Sequence, residues 1–498
     1  IFFFISSSKS KRALLIPSSS LKLFSSIGST CTILSVIFPL ITYPYATRIL
    51  GPENFGKVSF CLSIIGYIYL IATLGISNYA IREGGFYRKR QSDINQFSSE
   101  IFTISIVSTI AAYIILFLLL IFSVKLQNYV MILLIQSLSV IFVTIGTDWV
   151  NMIFEDYLYI TVRSLIVQIV MLVSLFAFVR SSDDYLQYAG ITVLGNGIVS
   201  MLNFCYVKKY VKVKIVKFNI KKHLNSILIL FSNNIAVSIY CNSDITMIGY
   251  FLSDSQVGLY SLASKIYMVI KQIIAAAYSV SVTRMTEYIG IKNKIAFIGL
   301  LNDIINNIIL IAIPVIVGGV VYSDNIIVIL AGDEFLDAST PFIILIFTIL
   351  PAVLGGMLAY CINLPLKKEV VNLRCTSISA VENIILNAIM IPNFGIVGSA
   401  FATFVSEFTV FVLLLYSLKS NLQIFNLRRI LFNVVKCGVS CIPIIILKYI
   451  FPQEKSLVLF SAIVIVSITL YFVVNVMIKN ENLKNLINSI VNKRFLIT

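Results

Sequence analysis

Apolar blocks of about 20 residues recur along almost the whole chain, and each is long enough to cross a hydrocarbon core about 30 Å thick at about 1.5 Å of helix rise per residue. Lipid offers no partner to a backbone N–H or C=O, so only helices or closed barrels span it. Fourteen blocks are read, near residues 23–47, 58–81, 101–124, 129–147, 160–179, 185–207, 224–250, 257–283, 295–321, 341–363, 375–391, 396–418, 434–451 and 456–478. The pattern predicts an all-α polytopic membrane protein.

Composition leaves little room for anything else. Hydrophobic residues make up 58% of the 498 and charged residues 12%, against about a quarter charged in soluble domains; mean hydropathy is +0.96. The longest loops, 82–100, 208–223 and 322–340, are too short to hold a core of their own.

The net charge of +16 is a topology signal. With the N-terminus placed inside, 28 of the 38 Lys and Arg fall in the N-terminal arm, the even-numbered loops and the tail. Only Arg48, Lys57, Lys125, Arg180 and Lys455 fall in odd-numbered loops. Loop 208–223 carries seven lysines, whereas 322–340 carries only the acids Asp324, Asp333, Glu334 and Asp337. This positive-inside pattern predicts cytoplasmic N- and C-termini and attraction to anionic headgroups; it does not call for nucleic acid.

Eight cysteines lie mostly in apolar blocks without a CxxC, so they read as small buried hydrophobes. The one histidine, His223, sits in the lysine-rich loop and is expected to be solvated. No metal and no cofactor is expected. Neither G-x-S-x-G nor a Walker A sequence occurs, so the chain is not read as an enzyme and gradients must drive any motion. Residues 1–20 read as a disordered arm; the segment 148–159, DWVNMIFEDYLY, reads as a short helix lying in the membrane interface.

A shift of 202 residues aligns LGPENFGKVSFCLSII (50–65) with LSDSQVGLYSLASKIY (252–267), pairing Gly56 with Gly258 and Ser59 with Ser261. Each segment opens the second helix of a half. The expected organisation is two six-helix repeats plus a C-terminal helix pair: 21–207, a basic linker 208–223, 224–418, 419–478 and a tail 479–498. Transporters are often built from such repeats, with the substrate site between them.

Ionisable residues inside spans cost about 2.5–3.5 kcal/mol on insertion scales and normally face a cavity or a partner. The cations are Lys265 and Lys271 in the eighth block, Arg284 at its end, Arg163 in the fifth, and Arg48 and Arg82 closing the first and second. They can wall a cavity for an anionic substrate. Alternatively, Lys265 pairs with Asp244, Lys271 serves structure, and Arg48, Arg82 and Arg284 anchor span ends. The acids Asp244, Asp303, Glu382 and Glu407 can carry a coupling ion or neutralise a cation. Pro39, Pro44, Pro314 and Pro351 permit kinks within spans.

FPLITYPYATRILGPENFGKVSF and LIATLGISNYAIREGG resemble the opening signature of O-antigen and capsule flippases of the Wzx type. These belong to the multidrug/oligosaccharidyl-lipid/polysaccharide exporter superfamily, with the lipid II flippases and the multidrug and toxin extrusion antiporters. DWVNMIFEDYLYITVRS, VGLYSLASKIYMVIKQI, AGDEFLDASTPF and IPNFGIVGSAFATFVSE continue the resemblance to about residue 478. The run SVTRM departs from it, since the family usually has a proline before the arginine at 284. The resemblance implies that polyprenyl-pyrophosphate-linked oligosaccharide passes from the inner to the outer leaflet of a bacterial cytoplasmic membrane. It implies alternating access around a cationic centre, with membrane lipid, a polysaccharide polymerase and chain-length proteins as partners. The alternatives are a cation-coupled drug antiporter on the same fold, a polymerase or glycosyltransferase, and a structural scaffold.

Overall fold

The computed structural model describes residues 18–216, 220–279, 281–418, 425–452 and 456–484. Most of the N-terminal arm, Lys455 and the end of the tail fall outside them.

Among the described residues the regular structure is helical. Eleven segments are long and apolar enough to cross a membrane. The longest two, Ile41–Tyr87 and Glu369–Ser417, each contain a break at a glycine. Helix α1 (Ser18–Thr73) breaks at Gly51, φ 69°, and Glu369–Ser417 breaks at Gly395, φ 59°. A left-handed residue stops an α-helix, and glycine adopts that conformation without a Cβ penalty. Both breaks fall between blocks read from the sequence, and the helix Ile220–Phe251 lies where the seventh block was expected.

The chain divides into two compact units. Unit 1 comprises residues 1–50 and 57–242, and unit 2 comprises 51–56 and 243–498. In unit 1, α1 is followed by α2 (Ile76–Tyr87), α3 (Gln91–Phe122), α4 (Val124–Gln127), α5 (Val130–Gly146), α6 (Asp148–Ile153), α7 (Tyr157–Phe178), α8 (Tyr185–Val207) and the first part of α9 (Ile220–Phe251). The main packings are α5 on α8, α7 on α8 and α2 on α6. The last of these corrects the interfacial expectation for 148–159. Trp149, Val150 and Ile153 are buried in one cluster with Tyr79, Phe97 and Ile101, so α6 is core.

The linker after α8 is also tied down. Residues 211–216 run extended along α3, and alternate backbone amides donate to side chains one helical turn apart: Lys212 N to Asn95 Oδ1 at 2.9 Å, Lys214 N to Ser99 Oγ at 3.1 Å and Val216 N to Thr103 Oγ1 at 3.2 Å. Two extended residues advance about 6.6 Å and four helical residues about 6 Å, so the two periods stay in step. His223 contradicts its expected solvation. It is 1% exposed, with Nδ1 2.7 Å from Tyr79 Oη and Nε2 2.8 Å from Glu100 Oε2.

Unit 2 takes the rest of α9, then α10 (Asp254–Ser279), α11 (Val282–Gly290), α12 (Lys294–Val321), α13 (Ser323–Ala331), α14 (Ser339–Met357), α15 (Glu369–Ser417), α16 (Leu427–Ser440), α17 (Ile442–Ile450) and α18 (Leu457–Met477). Helix α14 packs on α10, α12 and α15. The terminal pair is fastened to α12 by asparagines. Asn433 donates to Asn306 Oδ1 at 3.0 Å, Asn482 to the same atom at 3.3 Å, and Asn480 to Asn433 at 3.1 Å.

Candidate functional site

In unit 2, polar side chains of α9, α10 and both arms of α15 come together. On α10, Tyr260, Tyr267 and Lys271 recur at spacings of seven and four and share one face. The second arm of α15 presents Ser399, Thr403 and Glu407 at successive spacings of four, and the first arm presents Ser379, Asn383 and Asn387 likewise. These stripes turn toward each other, since apolar faces are satisfied by lipid and polar ones are not.

At one level lies Asp244 of α9, 8% exposed. Its Oδ2 accepts from Tyr260 Oη at 2.6 Å and Thr403 Oγ1 at 2.5 Å, and its Oδ1 accepts from Asn387 Nδ2 at 2.7 Å. Asn387 also donates to Asn383 Oδ1 at 3.1 Å, which accepts from Ser243 Oγ at 2.9 Å. All of these partners are neutral. The Asn387 Oδ1 is buried and has no hydrogen-bond partner among the described residues. One turn along α15 from Thr403, and two to three along α10 from Tyr260, Glu407 accepts from Lys271 Nζ and, at 3.2 Å, from Tyr267 Oη. Ser379 Oγ closes onto Ser406 O at 2.7 Å and holds the two arms of α15 together.

The candidate residues therefore separate. Asp244, Lys271 and Glu407 belong to this ladder. Lysine 271 is paired, which supports the structural alternative for it, and the Asp244 carboxylate is taken by hydroxyls and amides rather than by Lys265. Lys265 is half-buried on α10, about 120° around the helix from Lys271. Glu382 is half-buried, with Oε2 buried and without a hydrogen-bond partner. Asp303 is exposed and pairs with Arg429 at 3.4 Å, so it does not face an interior. Arg48, Arg82 and Arg284 are exposed; Arg82 pairs with Glu83 at 3.0 Å. Arg163, in unit 1, is 4% exposed and pairs with Asp148 at 3.0 Å.

Sequence reasoning missed Tyr260, Thr403, Asn383 and Asn387. The four-residue spacing of small polar side chains on α15 carried the signal, but neutral residues drew less notice than charges. Among the described residues, no three His, Cys, Asp or Glu side chains come together.

Residues 25–288 match the family of polysaccharide biosynthesis proteins. The chain is 32% identical over 171 residues to the Haloferax volcanii protein named "Probable low-salt glycan biosynthesis flippase Agl15", covering 34% of this chain and 35% of that one. It is 21% identical over 233 residues to the "Putative O-antigen transporter" of Escherichia coli K12, covering 46% and 56%. It thus spans about a third and about half of the lengths of these relatives. Among solved structures, the lipid II flippase MurJ in an inward closed conformation matches 92% of this chain and 99% of its own, with a TM-score of 0.73 at 17% identity. An inward-facing multidrug MATE transporter matches 77% and 95%, with a TM-score of 0.60 at 14% identity. At such identities these structures establish the fold alone. The chain is a multi-pass membrane protein and belongs to the polysaccharide biosynthesis protein family.

Proposed function

We propose that the protein is a flippase for lipid-linked oligosaccharide, carrying a polyprenyl-pyrophosphate-linked repeat unit from the inner to the outer leaflet of a bacterial cytoplasmic membrane. The family match over 25–288 carries this conclusion. The substrate's pyrophosphate suits cations such as Lys265, because charge-assisted hydrogen bonds strengthen where water is scarce. Both termini lie in the cytoplasm, following the 28-to-5 partition of loop cations.

Asp244 is the coupling carboxylate. A group that takes up and releases a cation each cycle cannot be neutralised permanently, and that excludes Glu407, held by Lys271, and Asp303, held by Arg429; Glu382, whose Oε2 has no hydrogen-bond partner among the described residues, lacks the ring of neutral donors that Asp244 has. Asp244 has only neutral partners. The hydroxyl oxygens of Tyr260 and Thr403 and the unpartnered Asn387 Oδ1 suit a proton or a monovalent cation. Asp244→Asn is expected to insert normally and to abolish the dependence of transport on the ion gradient, read in vesicles with an imposed proton or sodium gradient. Undiminished gradient dependence in that variant removes Asp244 from the coupling role.

A further inference from the structure

Three turns remote in sequence meet at one end of unit 1 and bring their cations together. The turn after α2 carries Arg88, Lys89 and Arg90, and the turn after α6 carries Phe154, Glu155 and Asp156. Helix α8 runs into the linker that carries Lys208, Lys209, Lys212 and Lys214.

Tyr210 is the hub of this end. Its ring stacks on Phe154 at 4.5 Å between centres, its carbonyl oxygen accepts from Gln91 Nε2 at 2.7 Å, and its hydroxyl donates to Asp156 Oδ2 at 2.7 Å. Arg88 Nη1 donates to Glu155 Oε1 at 2.8 Å and ties the first turn to the second. Lys209 lies 5.2 Å from the centres of both the Tyr206 and Tyr210 rings. The amides of Lys212 and Lys214 are bonded to α3, and both side chains are exposed. Two residues apart on extended chain, those side chains stand on one side, about 6.6 Å from each other along the strand.

The acids nearby are already engaged. Glu155 holds Arg88, Asp93 lies 3.9 Å from Arg90, and Asp156 accepts from the Tyr206 and Tyr210 hydroxyls. Lys89, Lys208, Lys212 and Lys214 are exposed and have no ion-pair partner among the described residues. Like charges gathered this way repel one another, a cost that a bound anion relieves.

Apolar side chains stand among these cations. Phe86, two residues before Arg88, is 77% exposed, and Ile215, next to Lys214, is 73% exposed. A soluble polyanion offers them nothing. An anionic lipid surface satisfies both kinds of group, with phosphates for the lysines and the acyl boundary for the apolar side chains.

We infer that this face binds anionic phospholipid, with Lys89, Lys208, Lys212 and Lys214 meeting the headgroup phosphates and Phe86 and Ile215 entering the acyl boundary. Scattered loop lysines attract such lipid diffusely; this face holds its charges on a backbone fixed by Tyr210 and α3. Such binding does not depend on whether the protein flips lipid.

Full-length protein in a neutral detergent is incubated with phosphatidylglycerol or phosphatidylcholine, repurified, and the lipid retained per protein is measured by mass spectrometry. Phosphatidylglycerol should be retained and phosphatidylcholine not. Retention should fall about tenfold or more when Lys89, Lys208, Lys212 and Lys214 are all changed to Gln. It should be unchanged when the exposed Lys292, Lys294, Lys367 and Lys368 of unit 2 are changed to Gln, which removes the same charge. Phe86→Ser combined with Ile215→Ser should also weaken it. Inorganic pyrophosphate or a polyglutamate peptide, at matched ionic strength, should not displace the lipid. The unsubstituted protein should release it in about 1 M salt, where the screening length falls to about 3 Å, a result that no folding defect can mimic. Equal loss in the two lysine variants would mean attraction to net charge alone, and displacement by pyrophosphate or polyglutamate would mean a soluble anion or an acidic protein. Either result, equal retention of the two lipids, or retention indifferent to salt overturns the inference.

Discussion

Gly56 and Gly258 hold reciprocal places in one backbone crossing within unit 2. A Cβ on Gly56 would lie 1.8 Å from the carbonyl oxygen of Asp254, and a Cβ on Gly258 would lie 1.9 Å from that of Pro52. Residues 52 and 254, like 56 and 258, are separated by the 202 positions that align the two sequence segments. Such reciprocity is what a local two-fold relation between repeated segments produces, and it explains why glycine stands at both positions.

Gly56→Ala and Gly258→Ala should therefore destabilise the protein to a similar extent, each by about 1–3 kcal/mol, the usual range for forcing extra atoms into a packed contact. Gly85→Ala and Gly299→Ala, where an added Cβ meets nothing within 4 Å, serve as controls. Melting of the detergent-solubilised protein reads the difference. Equal melting of all four variants would contradict the close crossing.

The linker strap makes a separate prediction. Replacing Asn95 and Ser99 by Ala and Thr103 by Val removes three acceptors, each contributing about 0.5–1.5 kcal/mol. Trypsin should then cut after the exposed Lys212 and Lys214 several-fold faster than in the parent protein. An unchanged cleavage rate would mean that the alternating bonds do not hold the segment.

Asp156 gives a pH dependence. Burial opposes its ionisation, but hydrogen bonds from the Tyr210 and Tyr206 hydroxyls and the Tyr159 amide, with the Lys209 charge, outweigh burial and hold the carboxyl below its usual range. A depressed folded-state value contributes stability that is present above the unfolded value of about 4 and lost as pH falls through the folded one. The parent protein should lose melting temperature below about pH 4 more steeply than a Tyr206→Phe, Tyr210→Phe double variant. Identical acid limbs would remove Asp156 as a contributor.

Much of the fold was legible because lipid enforces a simple rule: an apolar run of span length becomes a helix. Even the abrupt joins at Gly51 and Gly395 fall between predicted blocks. Side-chain society was less legible. His223 lies among lysines in sequence but is buried, because the helix Ile220–Phe251 turns it toward Tyr79 and Glu100. Trp149 and its neighbours resemble an interfacial segment, yet α2 covers them. Charges advertised Lys271 and Glu407, while the neutral donors around Asp244 came to light only where α9 and α15 meet.

Lys265 separates substrate contact from structure. Lys265→Ala should leave membrane abundance unchanged and stop surface polysaccharide. Lys265→Arg should retain much of the function and Lys265→Glu the least, since the first keeps the charge and the second sets a like charge against pyrophosphate. Normal polysaccharide with normally abundant Lys265→Ala would end its role in substrate contact.

The central claim is translocation of a lipid-linked saccharide, and reconstitution tests it most directly. Proteoliposomes containing the protein and a polyprenyl-pyrophosphate-linked oligosaccharide in the inner leaflet are exposed to an external lectin that binds the sugar. Lectin binding should rise with time well above that of protein-free vesicles, and Asp244→Asn should remove its response to an imposed ion gradient. Lectin binding no faster than in protein-free vesicles, from protein that exports a cationic dye in the same preparation, would contradict flippase activity and establish the antiporter in its place.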